Sequence, residues 1–175
     1  MVSREINETV REFFQRGLID ETFIMEAVSK TLGGDCEKSS SREDIEDHID
    51  FWWNSPKKGR IPMDAKGIKK NSRSDKTFDD TIQWLELQNV NGRPGWLYGK
   101  AEYIAFRTLS RIIFVKREKL LSFALEAIKG KEVVYDTPKE FYIPYKRKKW
   151  GRDDLSLKVP TSDLVKLADF CIECD

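Results

Sequence analysis

A chain of 175 residues, 39% hydrophobic and 11% aromatic, carries enough apolar surface for one substantial core, which excludes wholesale disorder and is too short to expect two independent domains. Its 31 basic and 30 acidic side chains nearly cancel, so net charge by itself points to no nucleic-acid or acidic partner, and only the distribution of charge can. No apolar run approaches the ~20 residues of a membrane-spanning helix and the start, MVSREINETVREFF, is too polar for a secretory signal. The expectation is a single domain over residues 1–175, with no membrane association, in a soluble intracellular protein, cytoplasmic or nucleoid-associated.

From Asn7 to Leu32, Val10, Phe13, Phe14, Leu18, Phe23, Ile24, Ala27 and Val28 recur at helical spacing, and Gly17 with Asp20 marks a break, which predicts two short helices ended by Gly33 and Gly34. Residues 35–42, with three consecutive serines, read as a mobile loop. A strand is predicted from Ile45 to Trp53, with Ile49, Phe51 and Trp53 on one face and His48, Asp50 and Trp52 on the other. The turn residues Pro56 and Gly59 then predict a hairpin whose second strand runs from Ile61 to about Lys69. Thr81 to Val90 makes a third strand behind a charged loop, and Asn91 to Gly95 a turn. Trp96 to Phe106 and Arg111 to Lys116 look like strands, Glu118 to Ile128 like a helix, and Glu132 to Tyr135 like a strand. A last helix follows Pro160, capped by Ser162 or Thr161.

The chemistry-bearing segment is Met63-Asp64-Ala65-Lys66. On a strand, Asp64 and Lys66 project from one face and Met63 and Ala65 from the other. Asp50, on the polar face of the preceding strand, is folded toward them by the proline–glycine turn. Phosphodiester hydrolysis needs this mixture, because a hard cation must neutralise the phosphate, water must become a nucleophile, and developing charge must be stabilised. Two aspartates, a phosphate oxygen and a backbone carbonyl would suit Mg²⁺. Lys66 would then orient or deprotonate the attacking water, or stabilise the pentavalent phosphorus.

Asp50 followed by Asp64-Ala65-Lys66, after the lead-in Ile61-Pro62-Met63, resembles the D…(D/E)-x-K signature of the PD-(D/E)XK nuclease superfamily. The order of elements resembles it too: helices, a hairpin to D-x-K, then TIQWLELQ look like that superfamily's helix–strand–strand–strand beginning, over roughly residues 7 to 90. The resemblance departs at Ile49, where the eponymous pattern often has proline. It implies an α/β restriction-endonuclease-like fold, a mixed sheet flanked by helices. It also implies Mg²⁺-dependent hydrolysis of DNA, or less often RNA, with Asp50 and Asp64 as metal ligands and Lys66 as the catalytic lysine. Mn²⁺ is expected to substitute for Mg²⁺. Cutting both strands calls for two active sites, so a homodimer is a reasonable assembly.

Glu86, an acid between Leu85 and Leu87, either completes the metal site or is a solvated residue on an edge strand. Glu26 or Glu12 would supply a helix acid of the kind many superfamily members carry. His48 shares the face of Asp50, as a ligand or as a loop support, and Asp47 competes with Asp50 by a one-residue change of register. Lys57, Lys58, Arg60, Lys69, Lys70, Arg73 and Lys76 make the hairpin and its following loop basic, which suits phosphate binding. Tyr145 to Trp150 is a second basic cluster. Trp52, Trp53, Trp84 and Trp96 read as core. Cys171 and Cys174 form a C-x-x-C without the four ligands of a closed metal site, and read as cysteines at a helix end. A non-catalytic nucleic-acid-binding or assembly protein of the same fold is the rival reading.

Overall fold

The computed structural model describes residues 2–69, 77–147 and 151–174. Its first element, α1 (Val2–Leu32), is one continuous helix and not two. The expected break at Gly17 and Asp20 does not occur because tertiary contacts override local propensity. Asp20 is buried in an ion pair with Arg107 at 2.6 Å, and Ile24 and Val28 on the next turns are fully buried. Gly33 and Gly34, both at positive φ, end the helix. A side chain at Gly34 would overlap the backbone of Asn54, so the chain turns back tightly.

That tight return makes residues 35–38 a strand, β1 (Asp35–Lys38), where a mobile loop was expected. A π-helical turn at Glu43–Asp47 follows, closed by His48 at φ 54°. Ile45, expected to begin a strand, therefore stands out in solvent, and β2 is confined to Phe51–Ser55. The hairpin partner β3 (Gly59–Lys66) stops three residues before the expected end. Next come β4 (Ile82–Gln88), a 3₁₀ turn at Trp96–Tyr98 where a strand was expected to start, β5 (Tyr103–Arg107) and β6 (Arg111–Lys116). The chain closes with α2 (Arg117–Ile128), β7 (Pro144–Lys146), β8 (Leu155–Pro160), α3 (Thr161–Leu167) and β9 (Phe170–Glu173).

Residues 132–135 form no strand, only an isolated bridge from Val134 to Tyr145. The last helix is preceded by Pro160 without a side-chain cap, so neither Ser162 nor Thr161 caps it. Cys171 lies in β9, not at a helix end, and Cys36 and Cys171 are free thiols.

The protein is mixed α/β. A six-stranded sheet of order β1-β2-β3-β5-β6-β9 is antiparallel except for the parallel pair β3 and β5, and a separate sheet has the order β4-β8-β7. Thr81–Val90 thus does not extend the hairpin. The helix–strand–strand–strand run is instead α1-β1-β2-β3, with β1 as the unexpected member.

Ile24 and Val28 of α1 cover one face of the large sheet through Phe51, Met63, Tyr103, Ala105, Ile112 and Phe114. Ile104, Phe106, Ile113 and Val115 on the opposite face meet Leu85, Leu157 and Val159 of the small sheet, and Leu120 and Leu164 of α2 and α3. Because β5 and β6 are covered on both faces, they read as unbroken apolar runs. Along β3, only Ile61, Met63 and Ala65 join the core under α1, while Pro62, Asp64 and Lys66 take the other face.

Candidate active site

The hairpin register sets Phe51 opposite Met63 and Trp52 opposite Pro62. One step further, the Asp50 N–H donates to the Met63 carbonyl at 2.9 Å, so Asp50 reaches the Asp64 level although it lies just outside β2. An Asp50 Oδ2 accepts the Ala65 N–H at 2.7 Å, and the Asp50 carboxyl lies close enough to Asp64 for its charge to be felt there. Lys66 Nζ donates to Asp64 Oδ1 and lies 4.7 Å from the ring centroid of Trp96. Asp50, Asp64 and Lys66 are therefore together. Asp47 turns away to Lys100 at 2.8 Å.

Asp64 is 1% exposed, and its Oδ2 is buried without a hydrogen-bond partner. Burial holds its carboxyl well above the usual carboxylate range, Lys66 opposes that shift and Asp50 adds to it. Burial acts to lower Lys66, but the charges of Asp64 and Asp50 outweigh it, so the ammonium is kept. An orphaned carboxylate oxygen in a buried site beside other carboxylates is a costly arrangement unless a cation or a proton answers it.

The wall opposite β3 comes from the small sheet. Glu86 lies near the Trp96 backbone and feels the Lys66 charge, and its pKa is raised, first by burial. A Cβ at Gly95 would overlap Glu86, so glycine there lets the Trp96 turn approach β4. Glu86 is thus a partly buried neighbour of Lys66, on a strand that does form an edge of the small sheet.

His48 is half-buried at the rim, its pKa pushed down by burial and then by Lys66, so the imidazole is neutral near pH 7. Two acids not singled out in the sequence also belong here. Asp44, from the π-helical turn, stands near Asp50, and its pKa is raised by burial and by the Asp50 charge. Glu21 of α1 pairs with Lys38 at 3.0 Å and feels Asp50 and Asp44. Glu26 is exposed, and Glu12 falls outside the residues whose side chains are described. Helical phase contained the signal for Glu21, which precedes the buried Ile24 and Val28 by three and seven residues. Asp44 had none, because its segment read as loop and strand.

The basic residues divide. Lys57 and Lys58 lie exposed in the β2–β3 turn, six residues from Asp64 in the case of Lys58, or roughly 20 Å along an extended strand. They do not flank the carboxylates. Lys69 does lie near Lys66, Asp64 and Asp20, and burial first, then Lys66, lower its pKa to about 8. Lys70, Arg73 and Lys76, with Lys148, Lys149 and Trp150, lie outside the described residues. Trp53 and Trp96 are core, whereas Trp52 and Trp84 are only partly buried.

Among the described residues no group of three or more His, Cys, Asp or Glu side chains is arranged to enclose a metal ion. Mg²⁺ needs no such cage, since it keeps several waters and is held through one or two carboxylates plus substrate phosphate. The Asp50–Asp64 pair with its orphaned oxygen fits that requirement. No helix among the described residues is long and apolar enough to cross a membrane. No protein-family model, no curated protein and no solved structure matches this chain.

Proposed function

We propose that this chain is a metal-dependent nuclease with a restriction-endonuclease-like fold, hydrolysing phosphodiester bonds of nucleic acid, most simply as a DNA endonuclease. The observation that carries the reading is the convergence of Asp50, Asp64 and Lys66 around a buried carboxylate oxygen that has no partner. Asp50 and Asp64 would hold Mg²⁺ or Mn²⁺, with Glu86 and Asp44 as further acids close by. The bound ion would supply charge neutralisation at the phosphate and an acidified water.

The chain's own residues would do the rest. Lys66, kept protonated by its two aspartates, offers a fixed cation for charge that develops on the phosphoryl oxygens. Trp96 covers it on one side and limits water there. The Ala65 N–H fixes Asp50 relative to Asp64, so the two carboxyls are positioned before any substrate arrives.

A second reading, a non-catalytic nucleic-acid-binding or assembly protein, is favoured by the Lys66–Asp64 pair itself, since an ammonium can answer the buried carboxylate without any metal. Incubating plasmid and single-stranded DNA with Mg²⁺, Mn²⁺ or EDTA separates the two. Metal-dependent loss of substrate supports the nuclease; binding with no cleavage under any condition supports the second reading.

A further inference from the structure

The polar face of the β2–β3 hairpin continues beyond the carboxylates. Strand alternation puts Asp50 and Trp52 on that face of one strand and Asp64, Pro62 and Arg60 on the other. Arg60 Cζ lies 4.1 Å from the ring centroid of Trp52, so the guanidinium sits over the indole. Both planes are tethered: Trp52 Nε1 donates to Glu43 Oε1 at 3.2 Å, and an Arg60 N–H donates to Glu37 Oε2 at 3.5 Å. The Arg60 side chain is nevertheless half exposed, and neither residue belongs to the two apolar clusters that cover the rest of the sheet.

We propose that the Arg60–Trp52 pair is a binding platform for an unpaired base of the substrate strand, next to the phosphodiester at Asp50 and Asp64. This rests on the nuclease reading above and deepens it by naming the substrate class, single-stranded or locally opened nucleic acid. A guanidinium seated over an aromatic ring and half exposed on its outer side offers that side to a base π-system, a sequence-tolerant contact. Trp52 is two residues from Asp50, roughly 7 Å along the strand, so a strand with its phosphate at the carboxylates places a neighbouring nucleotide over the platform. Beyond the platform, the same hairpin ends in Lys57 and Lys58, which extend the path with cations to its tip. A duplex keeps its bases stacked on one another and gains only the phosphate contacts.

The test is fluorescence anisotropy with a short fluorescein-labelled single-stranded DNA and its duplex, in EDTA so that no strand is cut by a metal-dependent reaction. Arg60→Lys keeps the charge but loses the plane, and Trp52→Leu removes the support. Each is expected to weaken single-strand binding roughly tenfold while leaving duplex binding within about twofold, and Trp52→Phe to retain most of the affinity. Wild-type single-strand affinity in Arg60→Lys, whose exposed site does not threaten the fold, overturns the platform, as does an equal loss for both DNAs. Loss of single-strand binding in the variants of a protein that cuts nothing would sustain the platform and sink the nuclease reading. Cleavage untouched by either variant, with binding unchanged, would do the reverse.

Discussion

The Asp50 carboxylate accepts the backbone N–H of Ala65, the residue between Asp64 and Lys66, at 2.7 Å. One side chain therefore both pins the end of the hairpin and supplies half of the acidic pair. The two roles separate chemically, because the bond needs only an oxygen acceptor whereas a cation needs the negative charge.

Asp50→Asn, whose amide oxygen still accepts the Ala65 N–H, is expected to melt within about 1 kcal/mol of wild type but to lose Mg²⁺ binding. Asp50→Leu loses both, leaving a part-buried donor unmatched at a cost of about 1–3 kcal/mol. Urea denaturation alongside Mg²⁺ titration distinguishes the two. Equal destabilisation by both substitutions would show that the Ala65 bond needs the charge.

The Asp20–Arg107 pair fastens α1 to β5 beneath the chain that leaves β3. Its side chains are 7% and 20% exposed, and Arg107 also packs over Phe23, 3.7 Å from the ring centroid. Removing one partner strands the other, so Asp20→Ala is expected to cost about 3 kcal/mol in urea denaturation. Gly67→Ala should be destabilising for the same reason, since a Cβ there would overlap the Asp20 carboxylate. A neutral outcome for both would mean the helix is held by its apolar face alone.

Lys69 sets a pH dependence whose sign is fixed. Its pKa is lowered from 10.5 to about 8 on folding, chiefly by burial, so between those values the unfolded chain binds the extra proton. Stability conferred at this site therefore rises as pH increases from about 8 to 10.5 and is flat below. Lys69→Met removes the dependence. Denaturation of both proteins across that range should show wild type gaining on the variant as pH rises; parallel profiles would mean Lys69 is solvated.

Much of the hairpin was legible because β2 and β3 turn apolar side chains to one face only, so alternation survives in the sequence: Phe51, Trp53, Ile61 and Met63 inward, Asp64 and Lys66 across. Alternation was misleading one turn earlier, where Ile45 fits the pattern but His48 takes a left-handed conformation and the chain coils at Glu43–Asp47. Asp35–Lys38 carries no strand signal of its own, since its order comes from pairing with β2. Nor does Thr81–Val90 reveal which sheet it joins, because long-range pairing with β8 decides that. Asp44, from the π-helical turn, was hidden for the same reason. Local pattern places a residue on a face, and only tertiary packing says which faces meet.

The most direct test of the account is cleavage of plasmid and single-stranded DNA in Mg²⁺ by wild type, Asp64→Asn and Lys66→Ala, each first shown to be folded. Asp64→Asn keeps the shape of the buried site but removes the charge that would hold the ion, so cleavage should vanish together with Mg²⁺ binding. Lys66→Ala should keep more of the Mg²⁺ affinity yet slow cleavage on the order of a hundredfold or more, with DNA binding surviving in both. The double variant should be scarcely slower than the worse single one, because residues serving one step are not additive. Wild-type rates in folded Asp64→Asn or Lys66→Ala would contradict the assignment and leave a nucleic-acid-binding protein in its place.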